Sequence, residues 1–171
     1  LTNWAIGWAP PPYLEVLSEY PDVSPGTGTN TVAYGTSMVC FADSPVPGGQ
    51  GTQFVCVGWT GSGSIPATGT DTSTPPVTIT NDSVITWLWE TNYWLQSLTN
   101  GGGTVTGAEI WVRSGSNATV EAITNLFYYF TNWSGDVELP NTNDAVYDVT
   151  MDQPRTLTAN FDVRLAPMLT P

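Results

Sequence analysis

The chain has 171 residues, and it contains no histidine and no lysine; its only cations are Arg113, Arg155 and Arg164. This composition excludes a histidine proton shuttle, a Schiff-base lysine and a histidine-ligated metal site. The net charge of −12 also argues against nucleic-acid partners and against contact with anionic membranes. We therefore expect a protein that is not an enzyme and that needs no cofactor, with carboxylate chemistry disfavoured rather than excluded.

Residues 1–12 read as an N-terminal extension. Trp4, Ile6 and Trp8 alternate with small residues, which predicts a strand with one strongly apolar face. Three prolines then stiffen the link to the next segment. Such a strand either packs on its own domain or adds to a sheet edge of a neighbouring molecule. A start at leucine rather than methionine is expected of a mature secreted product.

Beyond this extension, short β-branched and aromatic runs alternate with turn-forming residues, which predicts an all-β or nearly all-β fold. The best helical candidate, residues 122–129, is rich in residues that favour a strand. In chain order the predicted strands are Tyr13–Ser18, Ser37–Ala42, Gln53–Trp59, Val77–Thr80, Ser83–Trp89, Tyr93–Thr99, Ala108–Val112, Ala118–Ile123, Leu126–Trp133, Val146–Met151 and Arg155–Phe161.

The sequence contains an internal repeat. Phe54–Gly61 aligns with Phe127–Gly135, with Trp59 over Trp133, and Val77–Trp89 aligns with Val149–Phe161 without a gap. Upstream of each tryptophan lies a Gly-Thr/Ser element, Gly35-Thr36 and Gly115-Ser116. The alignment predicts two tandem domains and a tail. Their boundaries are 13–91 for the first domain, 92–165 for the second and 166–171 for the C-terminal tail.

These motifs resemble a known family. Gly58-Trp-Thr-Gly61 and Asn132-Trp-Ser-Gly135, each followed by its aligned strand–turn–strand segment, are similar to the bacterial internalin-B-type B-repeat. The second copy is the closer match, through Gly-Gly-Thr-Val at 102–105 and Met-Asp-Gln-Pro-Arg-Thr-Leu-Thr-Ala-Asn-Phe at 151–161. The resemblance implies two small β-grasp-like domains, repeated in extracellular bacterial proteins, without catalytic residues.

Cys40 and Cys56 lie on predicted strands that a Pro/Gly loop connects. If these strands are antiparallel neighbours, the sulfurs come within reach of each other, so we predict a disulfide. The chain-entropy estimate gives such a staple about 3 kcal/mol. The aligned positions in the second copy, Val120 and Phe130, are apolar, which favours a structural role over a redox role.

Three tryptophans are candidates for burial or for binding. Trp59 and Trp133 end apolar strands at equivalent repeat positions, which favours core anchors over sugar-stacking platforms. Trp111 alternates with Ile110 and Val112 and is the better candidate for a surface contact.

Two kinds of surface chemistry remain open. One loop carries oxygen-bearing side chains that Ca²⁺ accepts, but their spacing is not that of an EF-hand, so an ordinary acidic loop is the alternative. The residues of this loop are Asp136, Glu138, Asn141, Asn143 and Asp144. The N-glycosylation acceptor pattern occurs at Asn81, Asn117 and Asn132, where chance matches are expected in such a sequence.

From these features we expect a secreted structural protein at the cell surface, a subunit that polymerises head-to-tail. In this hypothesis Leu1–Ala9 is donated to the sheet edge of the next subunit, and the partner is a second copy of the chain. The alternative is an adhesin module that binds a glycan or a host protein through exposed aromatic side chains.

Overall fold

A computed structural model describes residues 10–136 and 144–165 of the chain. It confirms the all-β prediction, because the described residues form strands and loops and contain no helix. Within that part of the chain there is accordingly no helix long and apolar enough to span a membrane. The β-grasp-like arrangement of each repeat stays a prediction.

The chain folds into two compact units. Among the described residues, unit 1 comprises 10–46 and 54–90, and unit 2 comprises 47–53, 91–136 and 144–165. The first ten strands are β1 (Tyr13–Leu17), β2 (Val23–Ser24), β3 (Gly28–Thr31), β4 (Thr36–Met38), β5 (Phe41–Ala42), β6 (Val46–Gly49), β7 (Thr52–Ser62), β8 (Thr68–Gly69), β9 (Val77–Ile79) and β10 (Ser83–Thr99). Those that follow are β11 (Gly103–Thr106), β12 (Ile110–Arg113), β13 (Asn117–Thr124), β14 (Tyr128–Gly135), β15 (Val146–Thr150) and β16 (Arg155–Val163).

Unit 1 is built around β1. This strand runs parallel to β10 and antiparallel to β3, which ends the sheet on that side. Two small antiparallel pairs, β2 with β5 and β4 with β9, supply the rest of the framework. The core alternates along the strands as period-2 patterning requires. Its fully buried members include Leu14, Ile79 and Ile85.

Unit 2 has the same plan with longer strands. The second half of β10 runs parallel to β16, and β16 pairs antiparallel with β14. On its other side β10 pairs antiparallel with β12, while β11, β13 and β15 form a separate three-stranded sheet. Leu95, Val149 and Leu157 are fully buried in the core of this unit.

The strand registers support the repeat that the sequence predicts. In unit 1 Leu14 lies opposite Ser83, and in unit 2 Leu95 lies opposite Arg155, which is the residue that the alignment places over Ser83. Both leucines are 0% exposed. The gap-free alignment therefore holds in three dimensions for the parallel pair at the centre of each unit.

The Gly-Thr/Ser elements also occupy equivalent places. The amide of Gly35 donates to the carbonyl of Ile79, and the amide of Gly115 donates to the carbonyl of Met151, both at 2.8 Å. The two glycines have φ of 81° and 79°, a conformation that a side chain disfavours. Ile79 and Met151 are themselves aligned and both are fully buried. A glycine turn thus closes the same strand pair in each unit.

Candidate functional site

Several predicted sites lie outside the described residues. The candidate assembly strand with Trp4, Ile6 and Trp8 is one of them, and the C-terminal tail 166–171 is another. Of the proposed calcium loop, Glu138, Asn141 and Asn143 also lie outside. These hypotheses stay predictions.

The predicted disulfide is not formed in the structure, where Cys40 and Cys56 are free thiols in the core of unit 1. The premise of neighbouring strands was wrong. The amide of Cys40 donates to the Thr74 hydroxyl and its carbonyl accepts from the Thr74 amide, whereas the amide of Cys56 donates to the Ser44 hydroxyl. The two cysteines therefore have different backbone partners, and neither is the cross-strand neighbour of the other.

Burial in the core raises the pKa of both thiols above its ordinary value. Hydrogen bonds oppose this shift in part: the Thr74 side chain contacts Cys40, and the carbonyl of Gly58 accepts from the thiol of Cys56 at 3.5 Å. A buried thiol with a raised pKa is a weak nucleophile. The two cysteines therefore behave as small apolar core residues.

The tryptophans divide as the sequence predicts between core and surface. Trp59 is 2% exposed and Trp133 is 4% exposed, which confirms that both are core anchors. The indole nitrogen of Trp133 donates to the carbonyl of Asp144 at 3.2 Å. Trp111, in contrast, is 40% exposed on β12. It is the one of the three that a ligand can reach.

Trp111 forms an aromatic pair with Trp94. The two residues lie directly opposite each other in the β10–β12 ladder, so their side chains leave the same face of the sheet. Their ring centroids are 5.3 Å apart with planes at 61°, an edge-to-face contact. The neighbouring Leu95 points into the core. Strand alternation therefore puts the tryptophan pair on the outer face of unit 2.

An open cavity of about 610 Å³ lies on unit 2. Its walls combine hydrogen-bonding side chains with glycine backbone, and they come from the β6–β7 turn, the end of β14 and the segment before β16. The lining residues are Gly48, Gly49, Gln50, Thr52, Asp136, Gln153 and Pro154.

Gly51 connects the cavity to the tryptophan pair. Its carbonyl accepts from the amide of Trp94 at 2.8 Å. A Cβ atom at Gly51 would lie 2.9 Å from the Cβ of Pro154 and 3.5 Å from the Cβ of Trp94, so only glycine permits this close approach. Gly51 therefore lies between Trp94 and Pro154, which lines the cavity. We call the combination of Trp94, Trp111 and the seven cavity residues the outer-face site.

Arg155 fixes the acidic end of this site. One guanidinium nitrogen donates to the carbonyl of Asp136 at 2.7 Å, and another pairs with the carboxylate of Asp152. The Asp136 carboxylate in turn accepts from the amide of Thr156 at 3.1 Å through one oxygen. Asp136 is thus held by two partners and is exposed on its remaining side. A carboxylate so positioned can accept hydrogen bonds from ligand hydroxyl groups.

The described residues provide no support for the calcium prediction, and for the glycosylation prediction they show only that the candidate asparagines are exposed. Within residues 10–136 and 144–165 there is no group of three or more acidic, cysteine or histidine side chains that could hold a metal ion. Asp136 and Asp144 both engage neighbouring groups instead. Asn81, Asn117 and Asn132 are all exposed, so each is accessible to modification, which stays a prediction.

Sequence reasoning found Trp111 but missed Trp94 and the cavity. Trp94 could have been found, because it precedes the buried Leu95 in an alternating strand and must face the other way. Gln50, Gln153 and Asp136 could not, since they are far apart in sequence and only the fold brings them together.

Comparison with known families identifies the second repeat. Residues 93–164, which make up less than half of the chain, match the family described as the divergent InlB B-repeat domain, so this segment is similar to that family. The match covers the copy whose motifs are the closer ones, and it includes Trp94, Trp111, Asp136 and Gln153. The family places the chain among cell-surface or extracellular proteins. Neither the curated proteins nor the solved structures provided a match.

Proposed function

We propose that the chain is a non-catalytic adhesive module of a cell-surface protein and that it binds a neutral saccharide at the outer-face site. The observation that carries the proposal is the pair formed by the exposed Trp111 and the half-buried Trp94, together with the nearby cavity with polar walls. Binding sites for small ligands typically combine aromatic surface with a few well-placed polar groups.

The chemistry of the site fits a sugar ring. The C–H face of a pyranose can pack on an indole, while its hydroxyl groups both donate and accept hydrogen bonds. Gln50 and Gln153 offer amide groups that do both, and Asp136 offers a carboxylate that accepts. The net charge of −12 repels anionic polymers, so the site favours an uncharged saccharide.

A glycan array followed by titration with the best neutral oligosaccharide tests this proposal. Trp111→Thr keeps a residue that favours strands and removes the indole, and we expect it to weaken binding about tenfold, as the loss of one aromatic contact does. Phe41→Thr is the matched control, because Phe41 is a strand residue of unit 1 that is 43% exposed.

Equal affinity of the two variants would place the sugar elsewhere and contradict the proposal. An array without any neutral hit would do the same. A protein ligand retained on the same surface would then favour protein recognition through the aromatic pair.

A second candidate function is a filament subunit joined by strand addition. One observation favours it: β3 ends the sheet of unit 1, so among the described residues one of its edges has no strand beside it. Unpaired edges accept extended segments of other chains. The candidate donor is Leu1–Ala9 of a neighbouring copy, and such contacts build open filaments when the rotation does not close.

Electron microscopy of the chain beside a variant without Leu1–Ala9 tests this candidate. Filaments in the first sample and separate particles in the second are the expected result. Filaments in both samples, or separate particles in both, would contradict donation of this strand.

A further inference from the structure

Within residues 10–136 and 144–165, two residues other than glycine have a positive φ, Glu109 at 58° and Phe127 at 69°. Residues with a side chain rarely adopt this left-handed region. For Glu109 the fold itself provides a reason, because its carboxylate accepts a hydrogen bond from the amide of Ser97 at 2.8 Å. The side chain of Phe127 is 68% exposed, and its ring stacks on no other ring of the described residues. Strain retained at such a side chain points to a use outside its own fold.

The turn between β13 and β14 presents Phe127 together with a second apolar residue, Leu126, which is 79% exposed. The amide of Tyr128 donates to the carbonyl of Asn125 at 3.1 Å, and the amide of Arg164 donates to the carbonyl of Phe127 at 2.7 Å. Because these hydrogen bonds fix the backbone of the turn, it holds both apolar side chains in solvent.

An open cavity of about 330 Å³ lies at this turn, and we call it the turn cavity. Its lining combines apolar side chains, hydrogen-bonding groups and one positive charge, and it shares no residue with the outer-face site. The lining residues are Thr124, Asn125, Leu126, Phe127, Tyr128 and Arg164.

Arg164 supplies the charge of the turn cavity. Its guanidinium forms no hydrogen bond or ion pair with any group in the described part of the chain, whereas the other two arginines are engaged by neighbouring groups. The carboxylate of Asp162, two residues earlier on β16, accepts instead from the amide of Val163 at 2.7 Å and from the hydroxyl of Tyr129 at 3.4 Å. The guanidinium of Arg164 is therefore available to an anionic group of a ligand.

We propose that the turn cavity binds a small monocarboxylate with an aromatic or branched apolar body. The planar guanidinium of Arg164 matches the geometry of a carboxylate, and the apolar body packs on Phe127 and Leu126. The volume lies at the lower end of the range of about 300–1,000 Å³ for ligand pockets, so the ligand is small. The net charge of −12 does not prevent this pairing, because salt at physiological strength largely screens exposed charges beyond about 8 Å.

Two probes that share a phenyl body and differ in charge test the proposal: 3-phenylpropionate and its neutral amide, 3-phenylpropionamide. We would titrate the ¹⁵N-labelled chain with each probe and follow the backbone amide resonances of Phe127 and Arg164 by NMR. We expect the carboxylate to bind at least about tenfold more tightly than the amide, because hydrogen bonds between ionised groups are the stronger ones. Equal affinities, or the absence of saturable shifts, would overturn the proposal.

The variant Arg164→Gln isolates the contribution of the guanidinium. It should remove the preference for the carboxylate and leave the affinity for the amide nearly unchanged. A general disturbance of the turn would instead weaken both probes alike, so the ratio of the two affinities reports on charge recognition. A preference that survives this substitution would overturn the proposal.

The variant Phe127→Gly isolates the contribution of the ring. It should weaken both probes about tenfold, as the loss of one aromatic contact does. Because glycine adopts a positive φ readily, the variant should unfold at the temperature of the unsubstituted chain or above it, and weaker binding then cannot be assigned to unfolding. Ile123→Thr is the matched control, since Ile123 is 45% exposed on β13 and does not line the cavity. Unchanged affinity of Phe127→Gly, or an equal loss in the control, would overturn the proposal.

Discussion

Ile85 and Leu157 occupy equivalent positions in the two repeats, and truncation of either should be costly. Both side chains are 0% exposed, and the gap-free alignment places one over the other. Replacement by alanine removes three carbon atoms, which at about 0.8 kcal/mol per buried methylene amounts to roughly 2.4 kcal/mol. The cavity left behind adds to this loss, so we expect the free energy of unfolding to fall by roughly 2–5 kcal/mol for each variant.

Urea denaturation followed by tryptophan fluorescence measures the effect. Leu98→Ala is the control, because Leu98 lies on β10 but is 49% exposed, and its loss should stay below about 1 kcal/mol. The argument requires similar costs at both core positions. A loss below about 1 kcal/mol at either one would refute the equivalence of the two cores.

Three further predictions concern single positions. Burial raises the pKa of Cys40 and Cys56, so the folded chain keeps both thiols protonated to a higher pH than the unfolded chain does. Their contribution to the free energy of unfolding is therefore complete below about pH 8.5 and is lost as the pH rises further. Denaturation at pH 7 and pH 10, compared with a Cys→Ala variant, would detect this loss. Gly51→Ala should destabilise the chain by at least about 1 kcal/mol in thermal unfolding, since its φ is positive and a Cβ would crowd Pro154; an unchanged transition would contradict the close approach. Ser83→Ala should cost about 1–3 kcal/mol in the same assay because the buried hydroxyl makes two hydrogen bonds to backbone groups, whereas a neutral effect would mean that water replaces it.

The sequence predicted most of the strands because their side chains alternate. In β16, for example, Leu157, Ala159 and Phe161 are buried with polar residues between them. The short strands β2, β3, β6, β8 and β11 were missed, since segments of two to four residues carry little periodicity. The interval 90–92 suggested a break, but its polar residues continue one long strand, β10, from Ser83 to Thr99.

The pairing of strands was harder to predict than the strands themselves. The repeat alignment placed Ser83 over Arg155, and the structure puts these residues opposite Leu14 and Leu95, respectively, but the alignment itself predicted neither the parallel pairing nor its register. It gave no information on which strands flank Cys40, and the disulfide prediction failed for that reason. The outer-face site was found only in part, since Gln50 and Asp136 meet through the fold and not through local sequence.

The central claim is that unit 2 binds a neutral saccharide at the outer-face site. We would titrate the ¹⁵N-labelled chain with the best oligosaccharide from the array and follow the indole N–H resonances by NMR. The account predicts that the signals of Trp94 and Trp111 shift saturably while those of the buried Trp59 and Trp133 stay in place. Shifts that leave Trp94 and Trp111 unmoved would contradict it.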